Sequence, residues 1–500
     1  MSLAIIHSRA QVGIEAPPVQ VEVHLSNGLP SFTMVGLPET AVRESKDRVR
    51  SALLSCGLNF PQKRITLSLA PADLPKDGAR FDLAIALGLL AASGQIPASA
   101  LQGHECIGEL GLSGEIRPVR GVLPAALACR KAGQRLIIPA DNAEEASLVS
   151  GLEILASGHL AQLLEHFNGQ QQIGLFHSKG LNMQQLPYPD LQEVQGQESA
   201  KRALIIAAAG MHNILFCGPP GTGKTMLASR LPGILPPLTE AEALDVAAVQ
   251  SLVSAQCLQH WPQRPFRQPH HSASSSALVG GGGKPRPGEI TLAHQGVLFL
   301  DELPEFDRRV LEVLREPLEG GSIVIARANG RIRFPARFQL AAAMNPCPCG
   351  YHGDPSGRCS CSPEMITRYR SKLSGPLLDR IDLHVQVMRE PTSLLRQAAP
   401  GSLSSLQATR MVERARQIQH QRQNCCNSQL GINSLYHYCM LDEADRNWLE
   451  QACERLQLSL RASHRILRVA RTLADLQEEE KIGRQHLAEA LQYRFNQAGQ

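Results

Sequence analysis

The pattern of apolar and polar residues predicts an α/β region at the start of the chain. Apolar residues alternate with polar ones over residues 19–25, which predicts a half-buried strand, and Asn27-Gly28 predicts a turn that brings residues 30–35 beside it. A dense run of Ala and Leu over residues 81–93 predicts a buried helix. We therefore expect residues 1–167 to form an α/β domain with its own core.

The middle of the chain alternates short apolar runs with helical periodicity. Continuous apolar runs over residues 213–217, 297–300 and 338–345 predict strands of a parallel sheet, because such strands are covered by helices on both faces. Residues 168–189 are rich in Gln, Gly and Asn and predict a linker. We expect residues 190–395 to form a second α/β domain around this sheet.

The end of the chain is helical by pattern, and residues 396–500 are expected to form a helical domain. One predicted helix over residues 460–471 carries many cations. On the surface of such a helix, Arg465, Arg468 and Arg471 are expected to face solvent.

The composition indicates a globular protein without a membrane span. A chain of 500 residues, 43% hydrophobic and 19% charged, is long enough for several domains. Aromatic residues make up only 4% and the net charge is +4, so a nucleic-acid surface must be local and cannot rest on many stacked aromatics. No apolar run approaches the roughly 18 residues of a membrane span. The 13 cysteines, without an export signal, predict reduced thiols in the cytoplasm.

A glycine-rich turn directly follows the apolar run at residues 213–217. Its residues match the G-x-x-x-x-G-K-[ST] phosphate-binding loop and are Gly218, Pro219, Pro220, Gly221, Thr222, Gly223, Lys224 and Thr225. Lys224 is expected to reach the β- and γ-phosphates, and the Thr225 hydroxyl to ligate Mg²⁺. The motif lies between a predicted strand and a predicted helix, so it predicts binding of a nucleoside triphosphate.

Two carboxylates and an amide follow the next two predicted strands. Asp301 and Glu302 end one buried run, and Asn345 ends the other. Because ligands bind at the carboxyl ends of parallel strands, we expect Asp301 to hold the Mg²⁺ shell and Glu302 to act as general base toward water. Asn345 is expected to orient that water and sense the γ-phosphate. These residues predict hydrolysis of the bound nucleotide.

A cluster of four cysteines comes next, in a loop over residues 347–361 too polar to form a core. The cysteines occur as two C-x-C pairs, Cys347 with Cys349 and Cys359 with Cys361. Four thiolates brought together in this way suit tetrahedral Zn²⁺, and reduced or redox-active thiols are the alternative.

Two segments carry cations at their predicted tips. A long Gly-, Pro-, Ser- and His-rich segment contains Lys284 and Arg286, and a hairpin predicted over residues 322–334 contains Arg327, Arg331 and Arg333. Repeated around a ring, such tips would form a positive channel that tracks phosphates, which predicts a DNA contact. Two solvated surface loops are the alternative.

The order of these motifs resembles that of AAA+ ATPases. The resemblance makes Asn345 the first sensor, Arg380 the arginine finger that reaches the nucleotide of a neighbouring subunit, and Arg461 the second sensor. A surface ion pair is the alternative for Arg380. Residues 266–271 and 374–380 are similar to the magnesium-chelatase branch of these ATPases.

The first domain resembles the fold of Lon-type proteases without their chemistry. Residues 75–81 look like the loop of the catalytic serine, and residues 108–133 like the stretch of the catalytic lysine. Arg80 stands at the serine position and residues 121–126 contain no lysine, so neither nucleophile nor base is present. This domain, with the paired C-x-C elements, is similar to the ComM/YifB family of the magnesium-chelatase branch.

The resemblance implies a fold and a function. The fold is multidomain α/β: a Lon-protease-like amino-terminal domain, an AAA+ core with a parallel sheet and a small zinc-ribbon-like insertion, and a carboxyl-terminal helical lid. The function is that of a homohexameric, Mg²⁺-dependent ATPase that moves DNA through its pore and promotes branch migration during natural transformation, with recombination proteins as further partners. A metal-chelatase-type motor subunit and a protein-remodelling ATPase are the alternatives.

Overall fold

A computed structural model describes residues 2–36, 39–178, 188–254, 258, 261–282, 286–327, 330–354, 357–390 and 403–495. The chain forms two compact units. The first takes in residues 1–184, 240–261 and 328–332, and the second takes in residues 185–239, 262–327 and 333–500. Within the described residues, no helix combines the length and the apolar character that crossing a bilayer requires.

The main sheet of the first unit has seven strands, and two further short strands pair with each other. The strands of the unit are β1 (Ser2–Arg9), β2 (Pro18–Ser26), β3 (Ser31–Val35), β4 (Arg64–Ala70), β5 (His104–Cys106), β6 (Glu109–Leu110), β7 (Ile116–Arg117), β8 (Arg135–Pro139) and β9 (Ile154–Ser157). Its helices are α1 (Thr40–Arg43), α2 (Ser45–Ser55), α3 (Asp82–Ala92), α4 (Val122–Lys131), α5 (Ala143–Ser147) and α6 (Leu160–Phe167). The sheet order is β3-β4-β2-β1-β5-β8-β9, with β6 and β7 paired separately.

The predicted pairing of residues 19–25 with residues 30–35 is wrong. Both segments are strands, but β2 pairs antiparallel with β1 and with β4, and β3 pairs parallel with β4, where Phe32 lies opposite Ile65. Strand β4 comes later in the chain and takes the place beside β2 that a tight hairpin would have used. Strand β1 was not predicted, although Ala4 and Ile6 are buried in the core.

The remaining elements begin at residue 191 and centre on a second sheet. The strands are β10 (Ile214–Cys217), β11 (Phe266–Arg267), β12 (Gly280–Gly281), β13 (Arg286–Pro287), β14 (Val297–Leu300), β15 (Ser322–Arg327), β16 (Gly330–Pro335), β17 (Gln339–Met344) and β18 (Leu383–Gln386). The helices are α7 (Glu198–Gly210), α8 (Lys224–Ile234), α9 (Glu240–Ser251), α10 (Ser275–Val279), α11 (Glu289–Leu292), α12 (Arg308–Val313), α13 (Arg315–Gly320), α14 (Pro363–Arg370), α15 (Gly375–Leu378), α16 (Ser405–Gln423), α17 (Ile432–Tyr438), α18 (Glu443–Arg455), α19 (Leu460–Leu476) and α20 (Arg484–Phe495).

Five strands of the second unit form the predicted parallel sheet. Their order is β11-β14-β17-β10-β18, and the pairs are parallel throughout. All residues of β14 and β17 are buried, as expected for strands covered on both faces. The parallel arrangement places the carboxyl ends of β10, β14 and β17 at one edge, where the predicted nucleotide residues follow.

Helix α9 belongs to the first unit, although it follows the phosphate loop in the chain. Leu244, Ala247 and Ala248 join a buried apolar cluster with residues of α4, and the Ser251 carbonyl accepts a hydrogen bond of 2.9 Å from the Gly121 N–H. The predicted range 190–395 therefore includes a helix that packs in the core of the other unit.

The predicted solvent-facing role of three arginines of α19 is wrong. Arg471 is 2% exposed and donates to Asp475 and to the carbonyls of residues 479 and 480. Arg468 donates to the Leu430 carbonyl at 2.6 Å, and Arg465 pairs with Asp382. These guanidinium groups bond the helical lid internally and to the strand β18 region, so they stabilise the fold of the second unit.

Candidate nucleotide site

The glycine-rich loop joins β10 to α8 and has the backbone shape of an anion-binding loop. Gly221 and Gly223 have φ values of 77° and 84°, in the left-handed region that glycine adopts without strain. A Cβ on Gly218 would lie 2.1 Å from the Val387 carbonyl oxygen, so only glycine fits there. Such a loop aims successive N–H groups at a bound phosphate, at the start of a helix whose dipole favours the anion.

Lys224 lies within the loop rather than in solvent. Its Nζ donates to the carbonyls of Gly218 at 2.7 Å and Pro219 at 2.8 Å, and to the Asn345 Oδ1 at 3.0 Å. Burial lowers the pKa of Lys224, and the carboxylate of Asp301 acts in the opposite direction. The ammonium group is thus placed in the loop beside the predicted sensor, where a phosphate can replace its carbonyl partners.

The two predicted Mg²⁺ ligands contact each other. Thr225 Oγ1 donates to Asp301 Oδ2 at 2.6 Å, across from α8 to the end of β14. A hydroxyl and a carboxylate oxygen at this spacing are hard oxygen ligands that suit Mg²⁺ when phosphate oxygens complete its shell. The residues therefore fit the metal that the loop implies.

Glu302 follows Asp301 with an uncommon backbone and an additional partner. Its φ is 52°, a left-handed conformation that a non-glycine residue rarely adopts. Its Oε2 lies 3.1 Å from Nδ1 of His271. The sequence did not predict His271 as a site residue, although its position four residues after the strand β11 is a signal that parallel-sheet topology could have supplied.

The predicted arginine finger lies at the opposite edge of the sheet. Asn213 immediately precedes β10 and donates its Nδ2 to the Arg380 carbonyl at 2.9 Å, whereas Gly218 immediately follows β10. Five steps of about 3.3 Å along the strand separate the two ends by about 17 Å. Arg380 is 6% exposed, donates to the Pro376 carbonyl at 2.6 Å and pairs with Glu319.

The predicted second sensor lies with Arg380 and not with Lys224. Arg461 and Arg380 line one cleft of about 750 Å³, together with Arg337, His464 and others at the amino ends of the strands. Five arginines and three carboxylates line the cleft, so the charges of its lining side chains sum to a net positive value. The structure thus separates the predicted site residues into two groups, one at each edge of the sheet.

The Asp382 carboxylate stabilises the basic edge. Burial alone would raise the pKa of Asp382, but Arg465 and His212 hold it well below its usual range. Its Oδ2 also accepts from the Asn213 N–H at 3.2 Å. Asp382 therefore ties the start of β10, the start of β18 and the lid helix α19 together.

The four cysteines of the predicted zinc site converge. Their ligand atoms lie within 4.8 Å of one another, and the measured Sγ separations are 3.3, 3.8 and 3.6 Å among Cys347, Cys349 and Cys359. Sulfur atoms each about 2.3 Å from one tetrahedral Zn²⁺ would be separated by similar distances. Backbone N–H groups of Tyr351 and Ser360 lower the pKa of Cys349 to about 6. The residues fit Zn²⁺.

The cysteine loop packs on the nucleotide loop. Cys347 stands two residues after Asn345, and Gly350 has a φ of 85°. A Cβ on Gly350 would lie 2.7 Å from Cδ of Pro220 and 3.8 Å from Cγ of Asn345. Close approach of the two loops therefore depends on a glycine beside the cysteine cluster.

The predicted cationic segments are described in part. Arg286 is exposed in β13, which pairs with β12, and Arg331 and Arg333 are exposed in β16, which pairs with β15 as the predicted hairpin. Arg333 Nε donates to the Ser322 hydroxyl at 3.0 Å. Lys284 lies outside the described residues, and Arg327 is described only by its place at the end of β15.

Arg80 fills the position where the Lon resemblance places a serine. Its guanidinium donates to Oε1 of Gln11 at 3.0 Å and to the Gly121 carbonyl at 3.4 Å. Burial lowers the pKa of Arg80 to about 10, which still leaves the group cationic at neutral pH. A buried cation between these segments provides no nucleophile for acyl transfer.

Comparison with known proteins places this geometry in a family. Family models match along the chain: magnesium chelatase, subunit ChlI, over residues 190–395; subunit ChlI of Mg-chelatase over residues 21–142; and the ChlI C-terminal region over residues 402–494. Competence protein ComM of Haemophilus influenzae is 53% identical over 99% of this chain and 98% of its own length. The YifB protein of Escherichia coli is 50% identical over 99% of this chain and 97% of its own length.

More distant similarity extends to chelatase motors. The magnesium-chelatase 38 kDa subunit of Rhodobacter capsulatus is 25% identical over 59% of this chain and 83% of its own length. The phosphate loop, the acidic strand end and the carboxyl-terminal helical region thus lie within the two segments, residues 190–395 and 402–494, that match magnesium-chelatase family models. The chain belongs to the ComM/YifB family of magnesium-chelatase-like AAA+ proteins.

Proposed function

We propose that this protein is a hexameric, ATP-driven DNA motor that promotes branch migration of DNA joints during natural transformation. The observation that carries the proposal is the division of the site between two edges of one sheet. The carboxyl edge holds the residues for a nucleotide and Mg²⁺, and the amino edge holds Arg380 and Arg461 in a basic cleft.

The division supports a ring. A cation that stabilises the transition state must lie within contact distance of the γ-phosphate. Arg380 lies at the far end of β10 from the phosphate loop of its own chain. It can therefore complete a site only across a subunit interface, where the basic edge of one subunit meets the nucleotide edge of the next. Repeated head-to-tail contacts of this kind close into a ring.

In each complete site, the residues have separate roles. Lys224 and the loop N–H groups hold the phosphates, while Thr225 and Asp301 hold Mg²⁺, which neutralises phosphate charge when bound. Glu302 accepts a proton from the attacking water, and Asn345 orients that water. Arg380 from the neighbour must exchange its bond with Glu319 for a phosphate oxygen, so assembly of the interface controls the chemistry.

DNA is favoured as the substrate by the charge of the candidate pore elements. Arg286, Arg331 and Arg333 are exposed cations on two hairpins, and such groups neutralise phosphates along a backbone. Motors that thread polypeptide usually present an aromatic side chain in the pore, and the sequences of the two tips, residues 280–287 and 327–331, contain no aromatic residue. The similarity to a competence protein supports the same substrate. We place this activity in the cytoplasm, where the free thiols remain reduced.

The first unit acts in this proposal as a scaffold of the Lon-protease type without proteolysis. The buried Arg80 guanidinium, bonded to the backbone at Gly121, supports a structural role.

A metal-chelatase motor subunit is the second candidate function. The magnesium-chelatase match over residues 190–395 favours it, because the same core could act on a partner protein. The cysteine cluster and the Lon-protease-like first unit favour the ComM/YifB type of function over this alternative.

A branch-migration assay on a synthetic three- or four-way junction tests the proposal. The wild-type protein with ATP and Mg²⁺ should convert the junction to products, and Glu302→Gln should bind the junction without converting it. A parallel assay for ATP-dependent unfolding of a protein substrate provides the control. Unfolding activity without junction conversion would refute the DNA motor.

A further inference from the structure

His271 contacts the predicted general base and has no role in the site described so far. Its Nδ1 lies 3.1 Å from Oε2 of Glu302. The imidazole is 37% exposed and the carboxylate 53%, so both remain accessible to a substrate water. The ring of the neighbouring His270 lies against that of His271, with centroids 4.1 Å apart, and its Nδ1 is 2.8 Å from the Ser272 hydroxyl.

We propose that His271 is a positioning residue that aims the Glu302 carboxylate at the attacking water. A general base must lie within hydrogen-bond distance of the proton it accepts, and a displacement of about 1 Å can cost about a hundredfold in rate. Glu302 emerges from a left-handed backbone with a side chain that is half exposed. Its χ angles are therefore not restricted by packing, and His271 supplies the restraint. The proposal rests on the ATPase part of the proposed function and not on the DNA substrate.

The strand β11 holds His271 in register with Glu302. β11 pairs in parallel with β14, with Phe266 opposite Val297, so the segments that follow the two strands leave the same sheet edge. The Phe266 and Phe299 rings stack at 5.9 Å, with 20° between their planes. Loop 268–271 therefore starts from a fixed point one strand away from Glu302.

An ion pair at Arg267, four residues before the histidine, also anchors this segment. Arg267 Nε and Nη2 donate to the two carboxylate oxygens of Glu289 at 2.6 and 2.7 Å. This bidentate pair joins the end of β11 to the start of α11, which precedes β14. The position of His271 is thus determined by the sheet and by an ion pair, as expected for a residue that orients another.

The identity of the contacting nitrogen gives a specific test. Nδ1 is bonded to the ring carbon that follows Cβ, so the amide of asparagine can occupy its position. The amide of glutamine extends one carbon further, toward the position of Nε2. A positioning role through Nδ1 therefore predicts that His271→Asn retains function where His271→Gln does not.

Steady-state ATPase kinetics without DNA, together with equilibrium binding of a fluorescent ATP analogue, test the proposal on the full chain. His271→Ala should lower kcat by between about tenfold and hundredfold, with KM and analogue affinity within about twofold of wild type. His271→Asn should recover most of the lost kcat, and His271→Gln should not. The matched control His270→Ala removes the ring that lies against His271 but leaves the contact with Glu302, so it should lower kcat less than His271→Ala does.

Three results would overturn the proposal. One is a wild-type kcat in His271→Ala. The second is equal rescue by His271→Asn and His271→Gln. The third is a loss of analogue affinity that accounts for the loss of rate, which would indicate a structural role. Because no DNA is present, failure of the DNA motor in the junction assay leaves this result intact. Full ATPase activity of Glu302→Gln would instead show that Glu302 is not the general base, and the proposal for His271 would fail with it.

Discussion

The two edges of the parallel sheet differ in how their functional residues are held. At the carboxyl edge, Lys224 contacts Asn345 and Thr225 contacts Asp301, so the nucleotide residues already form one connected group. At the amino edge, Arg380 is buried against its own chain by Glu319 and the Pro376 carbonyl. The first edge has the geometry to receive a ligand, whereas in the proposed ring Arg380 at the second edge would have to exchange partners before it could act.

In the proposed function, this difference means that neither edge would suffice alone. A strand of four residues places the two groups too far apart for one ATP to contact both within a subunit. Nucleotide turnover would thereby depend on assembly.

The largest effect is expected from removing the carboxyl edge. Lys224→Ala and Glu302→Gln should each reduce ATP hydrolysis to background, because phosphate binding or proton transfer is lost. Steady-state phosphate release measures the outcome, and a nucleotide-binding assay should show that Glu302→Gln still binds ATP. Unchanged rates in both variants would exclude an ATP-driven motor.

The amino edge is tested by mixing two inactive variants. Arg380→Ala alone should lower kcat by about a thousandfold, as expected for loss of an arginine finger. Mixed with Lys224→Ala, it should recover activity, because about a quarter of randomly mixed interfaces in a ring combine an intact loop with an intact arginine. Absence of recovery in mixed rings, with ring formation verified by mass, would contradict action between subunits.

A smaller effect, on DNA binding, is expected at the two cationic segments that would line the pore of a ring. The double variant Lys284→Ala with Arg327→Ala should weaken DNA binding by about tenfold and reduce its salt dependence, since two phosphate contacts are lost. Fluorescence anisotropy at two salt concentrations measures this, and ATP binding at the carboxyl edge should persist. Equal DNA affinity in the double variant would refute the assignment of these cations to the pore.

The smallest effect concerns the cysteine loop that rests on the carboxyl edge. Wild-type protein should contain about one Zn²⁺ per chain, and Cys359→Ser should lose it. Because Gly350 packs on Pro220, this variant should also bind ATP a few-fold less tightly. Cys425→Ser, outside the cluster, is the control. Less than about a tenth of an equivalent of zinc in wild-type protein would reject a stable structural site.

Local motifs were predictable, and long-range pairing was not. The phosphate loop and the acidic strand end are contiguous in sequence, and their geometry follows from glycine conformations and from the chemistry of a parallel-sheet edge. The place of β3 beside β4 and the packing of α9 in the first unit depend on contacts between distant residues. Periodicity carries no information about such partners.

The arginines of α19 show the same contrast between what a local pattern predicts and what contacts between distant residues decide. By pattern alone, Arg465, Arg468 and Arg471 were expected in solvent, yet each finds a carboxylate or carbonyl contributed by another part of the second unit. A helix surface becomes an interior wherever another element covers it, and composition cannot indicate which element that is.

The candidate nucleotide residues could be identified from the amino-acid sequence alone. Lys224, Thr225, Asp301, Glu302 and Asn345 are defined by motifs whose function depends on residue type and short spacing. Which of the candidate residues meet depends on the fold. The fold places His271 beside Glu302, and it places Arg380 and Arg461 at the opposite edge of the sheet. Strand order and strand direction, rather than distance along the chain, determine which groups lie at each strand end.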